Sequence, residues 1–348
     1  MKTPSSMKAV AFAKTGGIDA LEEFDLPVPD GGPDDVLVRV RACGLNHLDL
    51  WVRQGLPFQI PMPHIGGCET VGEVARVGSA VKNIAVGQHV MIAPNQGCGH
   101  CPECFRGNDP ACPEFCIPGE HSQGGFCEFA LAPARHVIPL SDSWSMVEWA
   151  AVPLTFLTAW SMLHRHGRVQ PGDDVLVQGA ASGVGSAAIQ IARLAGARVL
   201  TTARSAAKLQ LARDLGADVV IDPAQQNFAE VVKRETGGRG VAVVIEHVGQ
   251  AVWKDSLKCL AHGGRLVTCG ATTGPKVEID LRFFFIREIE VIGAFMGTRG
   301  ELDQVLKVVD RKLLRPVVDR TFPLAQLREA HQYLEEGKQL GKVVIEVP

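Results

Sequence analysis

Four cysteines raise the first chemical question. Cys98, Cys101, Cys104 and Cys112 follow the spacing C-x2-C-x2-C-x7-C inside a glycine-rich stretch. Loops that short can bring four thiolates to the corners of a tetrahedron around Zn²⁺. A shell of four thiolates leaves no coordination position for a substrate, so the cluster predicts a structural metal site rather than a catalytic one. Cys116, four residues further on, is a competing ligand of poorer spacing, and His100, inside the cluster, is expected to face solvent. The total of ten cysteines points the same way, since in a reducing cytosol clustered thiols serve metals rather than disulfides.

The second chemical feature is a glycine turn, Gly179-Ala180-Ala181-Ser182-Gly183-Val184-Gly185, set between an apolar strand at 174–178 and a helical segment that runs from Ser186 to a glycine stop at Gly196. At such a turn a helix N-terminus offers unpaired N–H groups and partial positive charge to a diphosphate, and the glycines let it approach the backbone. A second strand, 198–202, follows at the distance where an adenosine ribose is read. An NAD-preferring site presents a carboxylate there, and a 2′-phosphate would be repelled by it. This sequence reads Thr201-Thr-Ala-Arg-Ser-Ala-Ala-Lys208, with no acid. Arg204, Ser205 and Lys208 are therefore expected to surround a phosphate, which favours NADP(H), with NAD(H) as the alternative. The other reading of these cations is an ordinary solvated helix start.

The elements that must position these residues follow from the apolar pattern. Further short strands at 217–221, 241–245 and 264–269 alternate with helical segments, the mark of an α/β fold with a parallel sheet covered on both faces. At 348 residues, 46% hydrophobic and 21% charged, the chain can build two cores. A net charge of −3 gives no electrostatic footprint for nucleic acid or an anionic membrane surface. No apolar run approaches the roughly 18 residues of a membrane span, and the first ten residues lack the apolar stretch of a signal peptide. The first six read as an extension ahead of a strand that begins at Met7, and the expected location is cytoplasmic.

Together these features resemble the medium-chain dehydrogenase/reductase superfamily, which includes zinc-type alcohol dehydrogenases and quinone oxidoreductases, over nearly the whole chain. Val36 to Asp49 looks like the block bearing that family's first catalytic-site position, and Gly67 to Val74 like the block bearing the second. Residues 150–160 resemble the entry into the cofactor domain, and Gly341-Lys-Val-Val-Ile345 the closing strand. The resemblance implies a GroES-like β-rich catalytic domain over 1–148 and 299–348, with a zinc lobe at about 95–116, and a Rossmann doubly wound cofactor domain over 149–298. It implies that Gly270 and Gly293 end strands beside the nicotinamide, and that the strand 290–295 is an edge pairing two subunits, giving a homodimer or a tetramer.

The pattern breaks at the catalytic metal. The family's zinc enzymes hold that metal through a cysteine, a histidine and a third cysteine or carboxylate. The matching positions here are Asn46, Cys68 and Leu154, of which only Cys68 ligates zinc well. A rearranged shell drawn from Cys43, His47, Cys68 and Glu69 is the alternative. Without zinc, hydrogen-bond donors must stabilise the oxygen that gains negative charge on hydride transfer. Asn46 is the first candidate, because quinone reductase relatives carry asparagine there. His47 either donates to substrate or faces the cofactor phosphates. Relatives often place a tyrosine where this chain has Trp51, and the sole tyrosine, Tyr333, falls in a C-terminal helix. Three functions follow: a metal-free reductase of quinones, enals or other carbonyls; an alcohol dehydrogenase with an altered metal shell; and a cofactor-binding protein that has lost turnover.

Overall fold

The structure, a computed structural model, describes residues 4–348. The chain divides into two compact units. The first runs to Leu154 and takes back Asp310–Lys312 and Pro316–Pro348, and the second comprises Thr155–Val309 with Leu313–Arg315. The return to the first unit, expected at 299, begins only at Asp310, the last residue of the helix Arg299–Asp310, which buries Leu302, Val305 and Val309. Residues 1–3 of the expected extension lie outside the described residues, and Ser6 already opens a strand, Ser6–Ala11, paired with Glu22–Pro27.

The first unit is built on a mixed sheet whose central strand is Asp35–Leu45, with Glu69–Val77 antiparallel on one side and Lys342–Glu346 antiparallel on the other. Val36, Val38 and Val40 are fully buried, as expected where β-branched side chains pack on a pleated core face. The register matters for chemistry. Gly44 lies opposite Glu69, and Leu45 lies opposite Val343, so Asn46, Glu69 and Lys342 all stand at one end of the sheet.

The second unit holds six parallel strands in the spatial order Val219–Ile221, Arg198–Thr202, Asp174–Val177, Val241–Glu246, Leu260–Thr268, Glu290–Gly293. This is the Rossmann order, and it reverses direction between Asp174–Val177 and Val241–Glu246, the point at which open sheets of this kind receive ligands outside the strands' carboxyl ends. Val175, Leu176, Val177 and Val243 to Ile245 are inaccessible to solvent, which is why these strands read as continuous apolar runs rather than alternating ones. The edge strand expected over 290–295 stops at Gly293. No helix among the described residues is long and apolar enough to cross a membrane.

The C-terminal helix expected around Tyr333 is an α-helix, Leu327–Glu335, that buries Leu327, Ala330 and Leu334 and follows a 3₁₀ turn, Leu324–Gln326. On the same helix His331 is 2% exposed and its Nδ1 lies 3.1 Å from Nη1 of the buried Arg53, which also pairs with Glu335. Arg53 is a permanent donor, so His331 Nδ1 must accept and the ring must stay neutral. Burial, and secondarily the Arg53 charge, push its pKa down to about 3. Between that value and the unfolded value of roughly 6.5 the unfolded chain binds a proton that the folded chain refuses. Stability from this residue is therefore complete above about pH 6.5 and declines as pH falls toward 3. Urea unfolding of His331→Gln should show a shallower loss of stability between pH 7 and pH 4 than the parent; equal slopes would remove His331 as the cause.

Candidate functional site

The three strand ends meet in a closed polar cluster. Lys342, 3% exposed, donates from Nζ to the Leu45 carbonyl at 2.9 Å, to Asn46 Oδ1 at 2.6 Å and to Glu69 Oε2. Asn46 Nδ2 donates to Glu69 Oε2 at 3.0 Å, with longer contacts to the Gly44 carbonyl at 3.3 Å and Cys68 Sγ at 3.7 Å. Glu69 Oε1 accepts from the Leu154 backbone N–H at 2.7 Å. Gly44 is required for the fit, since a Cβ there would stand 2.3 Å from the Ala150 carbonyl and 2.4 Å from Glu69 Oε2. The amide expected to serve a substrate oxygen is thus already engaged inside the protein. Its three acceptors share two hydrogens, and only the longer contacts are weak enough to exchange readily for a substrate oxygen.

Three positions, Asn46, Cys68 and Leu154, were expected to match the family's catalytic-zinc ligands. Cys68 is the one thiol among them, Asn46 is held by Lys342 and Glu69, and Leu154 contributes only its backbone. Burial pushes the Cys68 thiol well up, with Asp49 and Glu69 adding to the effect, so it is neither a ready thiolate nor a nucleophile. Cys43 is buried and shifted the same way, burial again being the main cause. His47, the first residue of the helix His47–Gln54, has its pKa lowered by burial and then by Lys342. A neutral imidazole carries one N–H donor, and no hydrogen bond within the described residues uses it.

Two residues here were not singled out from sequence. Lys342 opens the closing strand, where a lysine among valines and isoleucine was the available signal. Asp49 receives the Asn46 N–H at 2.8 Å and the Gly67 N–H at 2.8 Å, tying the two family blocks together. Burial raises its pKa to about 6. The Asn-x-x-Asp spacing of a capping box was its signal.

In the second unit the glycine turn takes the expected form. Ser182 caps the helix Gly183–Leu194, its Oγ accepting the Gly185 N–H at 2.8 Å. A Cβ on Gly185 would lie 2.2 Å from the Gly179 carbonyl, and Gly179 has φ +65°, so both glycines are needed for the turn. The Ser182 hydroxyl also meets His247 Nε2 at 2.8 Å, a partner unread in the sequence because it comes from the far side of the strand-order reversal. Beyond Thr202, Arg204 and Ser205 are exposed, and Ser205 caps the helix Ala206–Asp214 by accepting from Lys208 N at 3.4 Å. Gly270 has a local reason, a Cβ there meeting the His247 carbonyl at 3.1 Å, whereas a Cβ on Gly293 would meet no protein atom within 4 Å.

The cysteine lobe is drawn together as its spacing demands. The sulfurs of Cys98, Cys101, Cys104 and Cys112 all lie within 4.8 Å of one another, compatible with Zn–S bonds of about 2.3 Å in a tetrahedron. Backbone N–H groups point at them: Cys98 N at Cys112 Sγ, Cys104 N at Cys101 Sγ and His100 N at Cys98 Sγ. Such donors favour thiolates, and the Cys104 N–H is the chief reason the Cys101 thiol is pulled down to about 7. The donor set fits zinc. Cys116 stays out of it, its Sγ against Ser122 Oγ at 3.4 Å, and His100 is exposed with Nε2 at 3.5 Å from Glu114.

A sheet in Rossmann order with a capped glycine turn, in a chain that also carries a four-thiol lobe, defines a class: nucleotide-dependent dehydrogenases with a structural metal. Comparison with known proteins makes it specific. The family model for the alcohol dehydrogenase GroES-like domain matches residues 32–142, and that for zinc-binding dehydrogenase matches 183–311. An alcohol dehydrogenase of Geobacillus stearothermophilus is 31% identical over 94% of this chain and 96% of its own length, and a quinone oxidoreductase of Mus musculus is 30% identical over 97% of each. The crystal structure of an NAD-dependent alcohol dehydrogenase, 42% identical, superposes with a TM-score of 0.95 over 98% of this chain and 100% of that one. The chain belongs to the zinc-binding dehydrogenase family of medium-chain dehydrogenases/reductases and is an oxidoreductase.

Elemental analysis should find one zinc per chain in the purified protein and none in Cys101→Ser/Cys104→Ser, with the melting temperature of the variant lower by at least ~5 °C. Two zincs in the parent, with one retained in the variant, would place a metal beside Cys68.

Proposed function

We propose that this chain transfers hydride to or from a carbonyl, a conjugated carbonyl or a quinone without a catalytic metal, with NADP(H) preferred over NAD(H). The observation that carries the reading is the cluster at the metal positions, where an amide, an ammonium and a carboxylate are bonded to one another and only one sulfur is left. When bound, the nicotinamide dinucleotide is the hydride donor or acceptor.

The chain's own residues then divide the work. The N-terminus of the helix Gly183–Leu194, with Ser182, Gly183, Val184 and Gly185, holds a diphosphate by backbone N–H donation. Arg204, Ser205 and Lys208 receive a 2′-phosphate, which no carboxylate at that strand end opposes. Asn46 Nδ2 and the His47 ring N–H are the donors for an oxygen that becomes negative. Glu69 holds Asn46 in place, and the buried thiol of Cys68 shapes the wall beside it. A water molecule or the cofactor ribose supplies the proton, Tyr333 being committed to Asp319 at 2.8 Å. The structural zinc would be held by Cys98, Cys101, Cys104 and Cys112 and would brace its lobe.

The similarity to alcohol dehydrogenases supports a second reading, oxidation of an alcohol with an altered metal shell, which the zinc count above separates from the first. A homodimer, or a tetramer built from it, is supported by the open sheet edge at Glu290–Gly293 together with the exposed apolar side chains Leu281, Phe285, Ile286 and Phe295. Such an edge invites pairing with a second copy. A cytoplasmic setting suits a thiolate metal site.

NADPH oxidation with hexanal, trans-2-hexenal and 1,4-benzoquinone tests the reading. Turnover of at least one is expected, with kcat/KM for NADPH above that for NADH. Arg204→Ala should lower kcat/KM for NADPH by about 10- to 100-fold, the worth of one charge-assisted hydrogen bond, and leave NADH nearly unchanged. A variant that lowers both cofactors equally would remove Arg204 from the phosphate site, and no turnover of any of the three would sink the reductase reading.

A further inference from the structure

Lys342 is a full charge placed beside the proposed oxygen-binding amide, and nothing so far requires it to be a lysine rather than any residue that fills the strand end. Its geometry does. An ammonium donates and never accepts, whereas a carboxamide has one accepting end and one donating end that look alike in shape. Lys342 Nζ lies 2.6 Å from one end of the Asn46 amide, and Glu69 Oε2, an acceptor, lies 3.0 Å from the other. Only one orientation satisfies both neighbours. Oδ1 must face Lys342, and Nδ2 must face Glu69 and Cys68.

We propose that Lys342 is a positioning residue for the reaction: by donating to Asn46 Oδ1 it fixes the carboxamide so that its N–H₂ points to the Cys68 side, ready for a substrate oxygen. The proposal rests on the reading that Asn46 serves that oxygen. A charged donor on the carbonyl end also draws electron density from the amide and makes its N–H groups stronger donors. Glu69 is the counterpart that makes the buried ammonium tolerable and anchors one amide hydrogen. The other hydrogen has only the long contacts to the Gly44 carbonyl and Cys68 Sγ, and it is the one to be handed to substrate. The ammonium thus prepares the donor at the end of the sheet, beside Cys68.

Lys342→Met alone takes the ammonium away from the buried Glu69 carboxylate and risks misfolding. The comparison is therefore between Glu69→Gln, in which Lys342 loses its counter-ion but keeps the Leu45 carbonyl and Asn46 Oδ1 as acceptors, and Lys342→Met/Glu69→Gln, which removes both charges, each variant first shown to be folded by its circular dichroism. In cofactor-free protein, the Asn46 side-chain amide protons, assigned by their loss in Asn46→Ala, should exchange with solvent at least tenfold faster in the double variant than in Glu69→Gln. Equal exchange would overturn the proposal, because the amide would then be held without Lys342. With NADPH and the carbonyl or quinone turned over in the assay above, the double variant should lose at least tenfold in kcat relative to Glu69→Gln, with KM for NADPH unchanged. In an Asn46→Ala background the same change should cost nothing further. A loss of equal size in that background would show Lys342 acting independently of Asn46. Unchanged kcat in Asn46→Ala itself would defeat the reading of Asn46 as the donor, while the exchange result would still decide whether Lys342 positions it.

Discussion

Glu69 and Lys342 carry full charges where water scarcely reaches, and the first unit can hold them only because its sheet register brings them into contact. Separating such a pair, by removing one partner, typically costs about 3–5 kcal/mol, since the survivor keeps its desolvation penalty and loses its counter-ion. Each partner comes from the first residue of a strand that flanks Asp35–Leu45. The pair also draws in Asn46 at the end of that central strand and the Leu154 backbone at the end of the first unit's long segment. A slip of one residue in either flanking strand would turn the charged side chain to the other face of the sheet. Sheet alignment and site chemistry are thus one constraint in this unit.

The same chain treats two candidate metal positions in opposite ways, and the chemistry of the donors explains both. In the lobe, four sulfurs lie close together with backbone N–H groups aimed at them, a donor set that suits zinc. At the sheet end, Cys43 and Cys68 are buried among carboxylates and other thiols, which raises their pKa and keeps them protonated. A protein cation, Lys342, stands among the remaining polar groups. Membership of a zinc-binding family therefore describes the lobe well and says little about the chemistry at Asn46.

The helix that begins at His47 connects this cluster to the rest of the first unit. At its start the Asn46 N–H and the Gly67 N–H both go to Asp49, and at its end Arg53 reaches His331 and Glu335 on the helix Leu327–Glu335. Asn46 is thus held from behind by its own helix as well as from the side by Lys342. A buried arginine satisfied by a neutral histidine and a carboxylate is a rigid joint, because each group has few alternative partners.

Much of this protein was legible without a structure. The cysteine spacing fixed the lobe because short loops allow few ways to place four thiols. The glycine turn and the alternation of strands and helices identified the Rossmann unit, since those patterns depend on local geometry and on period. That Leu154 brings no side-chain donor was likewise plain from residue type, as a leucine side chain has no lone pair to offer. Lys342, Asp49 and His247 were not legible in this way. Each acquires its role from a partner many residues distant in sequence, with the exception of Asp49's bond to Asn46, and local pattern carries no distance information of that kind. Sequence could say that Asn46 has donors to give. Only the folded sheet, by setting an ammonium at one end of its amide and a carboxylate at the other, decided which way those donors point.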